Sequence, residues 1–149
     1  DSNKYRNLYE NSPALHRTIN LDGIILDCNQ SYANRFGCSK KEIIGSSIFD
    51  HIADEDHDAL KNSFETWKDT GYLASRELWF QTKTGDKFPA LISASNLRDS
   101  DGNLIGSNTI LRDITDFYKS LEIEKERNQV LEDMEELKSI NKYLVFNLS

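Results

Sequence analysis

The fold is decided by residues 73–112, whose sequence is LASRELWFQTKTGDKFPALISASNLRDSDGNLIGSNTILR. This stretch contains three segments that are typical of strands, because they are rich in aliphatic and aromatic residues. The segments are residues 73–82, 87–97 and 104–112. The connections between them carry the Gly, Asp and Asn residues that form tight turns. Short turns between consecutive strands predict an antiparallel meander.

A second hairpin is predicted upstream of this meander. Residues 14–20 and 24–28 are strand-like, and Asp22-Gly23 between them is a strong turn signal. Before the hairpin, residues 3–11 place apolar side chains at helical spacing, and Pro13 stops the helix because the residue before proline avoids the helical region.

Helical segments fill the region between the hairpin and the meander. Asn29 is a candidate N-cap, and Ser39 with Glu42 matches a capping box. A further short helix is expected over residues 48–52. The acidic residues 54–58 precede the longest of these helices, which we expect to end at Gly71. Two strands, several short helices and three strands in this order predict an α+β fold with an antiparallel sheet.

The strands carry apolar residues on both faces of this sheet. Leu78-Trp79-Phe80, Leu91-Ile92 and Ile110-Leu111 are consecutive apolar residues, whereas a sheet with one wet face alternates apolar and polar residues. We therefore expect both faces to be covered. The short helices cover one face, and the N-terminal helix, a partner subunit or both cover the other.

Several short motifs, taken in their order along the chain, resemble the PAS domain family. They are Asp22-Gly23, Asn29-Gln30-Ser31, the segment from Phe36-Gly37 to Ile44-Gly45, Lys83-Thr84-Gly85, Phe88-Pro89, Asp101-Gly102 and Arg112-Asp113-Ile114-Thr115. The last of these resembles the Asp-Ile-Thr signature that ends many PAS domains. The resemblance implies a PAS fold: a five-stranded antiparallel sheet with short helices on one face and a pocket between them. To this fold the residue patterns add an N-terminal cap helix and a long C-terminal coiled-coil helix. It also implies a role in sensing or in dimer assembly.

On this basis the chain divides into a cap helix at residues 1–12, a PAS sensory domain at residues 13–116 and a signalling helix at residues 117–149. From Phe117 onward the sequence contains no Gly or Pro, and core positions recur at alternating spacings of four and three. One heptad set is Ile123, Val130, Leu137 and Leu144 at position d, and the other is Arg127, Met134, Asn141 and Leu148 at position a. Because Asn at a favours a parallel dimer in fixed register, we predict a parallel homodimeric coil. The alternative is an amphipathic helix that folds back on its own domain.

The composition argues against a nucleic-acid partner. The formal net charge is −7, whereas binding to phosphate backbones requires clustered Lys and Arg. No apolar run approaches the roughly 18 residues of a membrane span, so we predict no membrane segment in this chain. Since nothing marks secretion, we expect a cytoplasmic location. Because the sequence starts with Asp1 rather than Met, we expect it to be a piece of a longer protein.

The resemblance places a pocket for a small-molecule ligand between the sheet and the helices. If Phe88-Pro89 begins its strand as in relatives, alternation places Ile92, Ala94 and Asn96 on the inner face. Either Arg76 or Asn96 could hold an anion or a carbonyl group. The candidate pocket residues are Phe64, Arg76, Leu78, Phe80, Ile92, Ala94, Asn96 and Thr109. The alternative is that the apolar members of this set simply fill the core.

The ligand stays unidentified, but we expect neither haem nor flavin. Haem-binding PAS domains use a histidine on the long helix, and His57 near its start is a poor position for an axial ligand. Cys28 and Cys38 lack the Asn-Cys-Arg-Phe-type context of the light-sensing flavin domains. The cysteines have no metal-ligand spacing, and no nucleophile–base motif occurs. We therefore predict no metal site and no catalytic residue in this chain.

The resulting hypothesis is a regulatory module rather than an enzyme. A signal at the pocket would pass through a hinge at Arg112, Asp113, Ile114 and Thr115 into the dimeric coil and on to an output domain in the same chain. Residues 142–149 resemble the run just before the phosphoaccepting histidine of sensor histidine kinases, so we expect the parent protein to be such a kinase. The alternative is a ligand-free PAS assembly module of another signalling protein, such as a diguanylate cyclase.

Overall fold

The computed structural model describes residues 2–73 and 75–148, without the side chain of Leu148, and it contains two compact units, Asp1–Ile114 and Thr115–Ser149. The α-helices are α1 Ser2–Asn11, α2 Gln30–Phe36, α3 Lys40–Ile43, α4 His57–Thr70 and α5 Thr115–Leu148, and 3₁₀ turns cover Ile48–His51 and Asp54–Asp56. The strands are β1 Leu15–Asn20, β2 Ile25–Cys28, β3 Arg76–Gln81, β4 Lys87–Arg98 and β5 Leu104–Asp113. The predicted order of strands and helices is confirmed.

The five strands form one antiparallel sheet in the order β2-β1-β5-β4-β3. The first and last strands of the chain therefore lie side by side in the sheet. Gly106 on β5 makes their close approach possible, because a Cβ atom there would lie 2.2 Å from the carbonyl oxygen of Ile19 on β1. The predicted α+β class and five-stranded antiparallel sheet are confirmed.

Strand β3 begins later than the sequence predicts. We expected a strand from Leu73, whereas the first paired residue is Arg76, and Ala74 lies outside the described residues. Leu73 packs against the core instead of entering the sheet. The apolar character of Leu73 therefore reflects core packing rather than strand pairing.

The predicted helix signals at Asn29 and Ser39 are present. The Asn29 side-chain oxygen accepts hydrogen bonds from the backbone N–H groups of Tyr32 and His16, at 3.0 and 3.1 Å. Its amide group donates to the carbonyl oxygens of Tyr9 and Ala14, both at 2.9 Å. This one buried side chain therefore joins α1, β1 and the start of α2. Ser39 forms the complete capping box of α3 with Glu42.

The sheet buries most of one face and leaves more of the other exposed. On the inner face, Leu15, Ile92 and Leu111 are buried beneath the helices. On the outer face, Ile105 is 47% exposed and Ile110 is 38% exposed. Helix α1 reaches this face only at the start of β1, where the Tyr9 ring lies 5.4 Å from the His16 ring. Within the described part of the chain, α1 therefore covers only a small part of the outer face, which we expected to be covered.

Candidate functional site

A small cavity lies between the inner face of the sheet and α4. Its volume is about 30 Å³, enough for one or two water molecules. Strands β1, β4 and β5 form its floor, and α4 forms much of its wall. The lining residues are Arg17, Ile19, Ile48, Leu60, Ser63, Phe64, Trp67, Leu73, Ile92, Ala94, Ser107 and Thr109.

The structure places half of the candidate pocket residues around this cavity. Those that line it are Phe64, Ile92, Ala94 and Thr109. Leu78 and Phe80 are fully buried elsewhere in the core, as the packing alternative described.

The two polar candidates, Arg76 and Asn96, do not line the cavity. Both form hydrogen bonds with residues of α4 or with Gly71, which follows it. Arg76 donates from Nη1 to the Ser63 hydroxyl at 2.9 Å and to the Ala59 carbonyl at 3.2 Å. The Asn96 side-chain oxygen accepts a hydrogen bond from Trp67 Nε1 at 2.7 Å, and its amide nitrogen donates to the Gly71 carbonyl. These two side chains therefore fix the packing of α4 on the sheet.

The charged residue at the cavity is Arg17, which the sequence analysis missed. Its side chain is on the inner face of β1, and the residue is 1% exposed. The alternation of Leu15, Arg17 and Ile19 on β1 is the signal that could have found it, because these three residues share one face of the strand. A buried charge normally needs a partner, so its placement here requires an explanation.

Arg17 has an incomplete set of hydrogen-bond partners. Its Nη1 atom donates to the Tyr32 hydroxyl at 3.1 Å, whereas its Nε atom is buried without a partner. The guanidinium carbon lies 6.0 Å from the centre of the Tyr32 ring and 5.9 Å from that of Phe80. Aromatic rings stabilise a cation weakly, and they do not neutralise it.

Tyr32 connects Arg17 to a buried histidine. The Tyr32 hydroxyl lies 3.3 Å from His51 Nδ1. Burial, with the Arg17 charge acting in the same direction, lowers the pKa of His51 to about 4. Burial also raises the pKa of Tyr32, against a smaller opposing effect of Arg17. Near neutral pH the imidazole and the phenol are therefore both uncharged, and neither offsets the Arg17 charge.

Two hydroxyl-bearing residues on β5, Ser107 and Thr109, also line the cavity. Thr109 is the direct cross-strand neighbour of Arg17 on one side and of Ala94 on the other. The Thr109 and Ser107 hydroxyl oxygens lie 3.3 Å apart, and both residues are buried. Arg17, Ser107 and Thr109 are therefore among the residues that line the cavity, whose accessible surface is almost entirely apolar.

The predicted hinge residues lie at the end of β5 and the start of α5. Asp113 Oδ2 accepts a hydrogen bond from Arg35 Nε on α2 at 2.6 Å, in an ion pair whose side chains are about one-third exposed. The guanidinium carbon of Arg35 lies 3.8 Å from the centre of the Phe88 ring. The Ile114 N–H donates to the Pro89 carbonyl at 3.0 Å. Arg112 is exposed. The end of the sheet is therefore attached to α2 and to β4.

The cysteines and histidines form no reactive centre in the part of the chain that the structure describes. Burial raises the pKa of Cys28 to about 11, which keeps its thiol protonated. His57 lies at the surface at the start of α4. Across residues 2–73 and 75–148, no three His, Cys, Asp or Glu side chains are grouped so that they could hold a metal ion.

Helix α5 exposes its predicted core positions within the single chain. Ile123, Val130, Met134, Leu137 and Leu144 are between 50% and 65% exposed. Asn141 is exposed as well, and the Leu148 side chain lies outside the described residues. Among the described helices, none combines the length and apolar character that a membrane span requires.

Among known protein families, the one described as PAS domain matches residues 14–116. No curated protein matches the chain. Among solved structures, the PAS domain of a protein from Colwellia psychrerythraea is 20% identical with a TM-score of 0.70, covering 78% of this chain and 99% of that one.

Two further structures are similar. A domain of a sensory box sensor histidine kinase/response regulator from Geobacter sulfurreducens is 24% identical with a TM-score of 0.61, covering 75% of this chain and 93% of that one. The PAS domain of a LuxR-family transcriptional regulator from Burkholderia thailandensis, in complex with ethanol, is 20% identical with a TM-score of 0.59. That match covers 74% of this chain and 96% of the other. At these identities the likeness is one of fold.

Proposed function

This chain belongs to the PAS domain family, whose members act as sensory and signalling modules, and we propose that it relays a signal to an output domain through a dimeric coiled coil. In this proposal residues 1–12 form a cap helix, residues 13–116 the sensory domain and residues 117–149 the signalling helix. The hinge comprises Arg112, Asp113, Ile114 and Thr115. The chain is regulatory, and any catalysis belongs to the output domain.

The observation that carries this proposal is the ion pair between Asp113 and Arg35. Arg35 is on α2 one helical turn after Tyr32, and Tyr32 bonds to Arg17 at the cavity. A change at the cavity that displaces Tyr32 would therefore act on Arg35, and through Arg35 on the end of β5. To shift the relay, the signal must bind more tightly to one arrangement of the connection from Tyr32 through Arg35 to Asp113 than to the other arrangement.

Output through a dimer is supported by the exposed core positions of α5. Side chains such as Ile123, Val130 and Leu137 gain most from burial against a second helix, at roughly 25 cal/mol per Å² of apolar surface removed from water. Leu131 and Ile140 are also exposed and flank the predicted core at positions e and g. Asn141 at position a would fix a parallel register at some cost in stability.

We propose that the parent protein is a sensor histidine kinase. The resemblance of residues 142–149 to the run before a phosphoaccepting histidine supports this class, and one structure of similar fold is described as part of such a kinase. The alternative is a ligand-free assembly module of another signalling protein, such as a diguanylate cyclase. The small volume of the cavity, about 30 Å³, favours that alternative over a sensor of large ligands.

The experiment that tests the relay uses the full-length parent protein with Asp113→Asn, Arg35→Gln and the charge exchange Arg35→Asp with Asp113→Arg. We expect each single variant to change basal output activity at least threefold and to lose its response to stimulus. The charge exchange should restore part of both. The matched control is Lys87→Gln, which removes the exposed ion pair with Glu55 and should leave output unchanged.

The thermal midpoint of every variant separates loss of relay from loss of folding. Wild-type output in Asp113→Asn and Arg35→Gln would contradict the relay. The dimer is tested separately by sedimentation of this chain at micromolar concentration, with Leu137→Glu expected to convert a dimer to a monomer. A wild-type chain that stays monomeric would contradict the coiled coil.

A further inference from the structure

Helix α1 is held to the domain without a buried apolar face. None of its residues, Ser2–Asn11, is buried, and Tyr5 and Leu8 are 72% and 61% exposed. A helix of this length is marginal in water on its own, because most helical stability in proteins comes from packing. The stability of α1 therefore depends on the contacts at its C-terminal end.

Those contacts converge on Glu10. Its Oε2 atom accepts a hydrogen bond from the backbone N–H of Gln30, the first residue of α2, at 3.0 Å. Its Oε1 atom pairs with Lys40 on α3, and the side chains of Lys40 and Glu10 are 29% and 24% exposed. The carbonyl oxygen of Tyr9 accepts a hydrogen bond from the Asn29 amide at 2.9 Å. One carboxylate therefore joins α1 to both of the helices that follow it.

The hydroxyl group of Tyr9 opposes this attachment. It is buried and has no hydrogen-bond partner among the described residues, although the Tyr9 ring packs at 5.4 Å against the ring of His16. A buried polar group without a partner is disfavoured because it has lost its hydration, and this hydroxyl would regain that hydration if α1 left the domain. Glu10 and the Tyr9 hydroxyl therefore act on the docking of α1 in opposite directions.

We propose that α1 docks reversibly and that its docking through Glu10 is a second input to the relay. This inference rests on the proposed function, because it requires α2 to carry the signal. Gln30, which donates to Glu10, and Arg35, which pairs with Asp113, lie on the same short helix. Release of α1 removes the carboxylate that holds the start of α2. An input that moves α1 therefore reaches Asp113 through the same helix as a change at the cavity, and Glu10 is a positioning residue.

Residue-resolved amide hydrogen exchange of the whole chain measures this docking. Glu10→Ala removes both acceptor atoms and also raises the intrinsic helical propensity of α1, so faster exchange in that variant reports loss of docking rather than loss of propensity. We expect the α1 amides to exchange at least threefold faster in Glu10→Ala. They should exchange at least threefold more slowly in Tyr9→Phe, which removes only the buried hydroxyl. Exchange within α4 reports the fold and should not change.

Three further variants serve as matched comparisons. Lys40→Met removes the other partner of the ion pair and should act like Glu10→Ala. Lys41→Met changes the exposed neighbour of Lys40 on α3, and Arg6→Ala changes an exposed residue of α1, so neither should accelerate exchange. Wild-type exchange in Glu10→Ala, or equal acceleration in Glu10→Ala and Lys41→Met, would overturn the reversible docking.

The same variants test the second input in the full-length parent protein. Glu10→Ala and Tyr9→Phe should shift basal output in opposite directions, each at least twofold. Unchanged output in both, when Arg35→Gln and Asp113→Asn do change it, would overturn the second input and leave the relay standing. Unchanged output in all four variants would overturn the relay and this inference with it. The exchange measurements do not involve the output domain, so a failure of docking is distinguishable from a failure of the relay.

Discussion

The inner face of the sheet has two neighbouring regions that are built from opposite chemistry. We call them the aromatic end and the polar end. At the end formed by β3 and β4, Phe36, Phe80 and Phe88 pack together with ring centres 5.3 to 6.2 Å apart, and all three are buried. Beside it, on β1 and β5 in the middle of the sheet, Arg17 and Thr109 border a cavity of about 30 Å³. One sheet therefore supports a dense aromatic core and a polar, incompletely filled site.

The difference indicates that the aromatic end stabilises the domain, whereas the polar end serves its function. Close-packed aromatic rings contribute buried area and favourable edge-to-face contacts, so they stabilise the fold. A buried guanidinium with an unpartnered Nε atom destabilises the fold, and local destabilisation that persists is a mark of function. Substitutions at the two ends should therefore change the free energy of unfolding by different amounts and with opposite signs.

The largest effect is expected from Phe80→Ala at the aromatic end. Removing a fully buried phenylalanine should lower the free energy of unfolding by about 3–5 kcal/mol, through lost burial and the resulting cavity. Urea denaturation followed by circular dichroism measures this change. The control is Tyr72→Ala, which truncates a side chain that is 69% exposed and should change stability by less than about 0.5 kcal/mol. A loss below about 1.5 kcal/mol for Phe80→Ala would show that the aromatic end is not the stabilising one.

The second effect is a pH dependence centred on His51, which lies where the two ends meet. Its ring contacts Phe36 at 5.3 Å and its Nδ1 atom lies 3.3 Å from the Tyr32 hydroxyl. The folded state holds the pKa of His51 at about 4, against about 6.5 in an unfolded chain. As pH falls from 6.5 to 4, the unfolded state binds a proton that the folded state does not. Stability should therefore fall by up to about 3 kcal/mol over that range.

His51→Gln should remove most of this dependence between pH 6.5 and 4. A smaller slope should remain, because burial also lowers the pKa of His16. His57→Gln, at a surface histidine, is the matched control. Urea denaturation at half-unit pH intervals measures the difference. A His51→Gln profile parallel to that of the wild type would show that His51 titrates alike in both states.

The third effect has the opposite sign and comes from the polar end. Arg17→Met replaces a buried charge with an unbranched apolar side chain, so the free energy of unfolding should rise by about 1–3 kcal/mol. Tyr32 retains His51 as a partner in this variant. Chemical denaturation of wild type and variant side by side measures the change. A loss of more than about 1 kcal/mol would mean that the chain itself stabilises the guanidinium.

The fold was predictable because its signals are local. Asp22-Gly23 indicated the first hairpin, and Ser39 with Glu42 indicated α3, through hydrogen bonds within a few residues. The predicted start of β3 was wrong, because Leu73 packs against the core. Nothing in the residues next to Leu73 distinguishes such core packing from strand pairing. Local patterns specify elements, whereas the precise ends of elements depend on what packs against them.

The site was less predictable because it depends on pairings between distant strands. The alternation that places Ile92 and Ala94 on one face also places Asn96 there. The Asn96 side chain, however, is hydrogen-bonded to Trp67 on α4 and does not line the cavity. Arg17 was missed because its polarity on a strand suggests exposure, and only the pairing of β1 with β5 encloses it. Alternation assigns a residue to a face, but the helix above decides whether that position borders a cavity.

The smallest effect is expected from the hydroxyl pair of Thr109 and Ser107. Thr109→Val removes a buried hydroxyl while leaving that of Ser107 without its neighbour, so the free energy of unfolding should fall by up to about 1 kcal/mol. Adding Ser107→Ala removes both hydroxyls and should restore most of that loss, because no polar group is then left unpaired. Urea denaturation of both singles and the double yields the coupling between them. Losses that simply add would mean that each hydroxyl has a separate hydrogen-bond partner and that the two do not act as a pair.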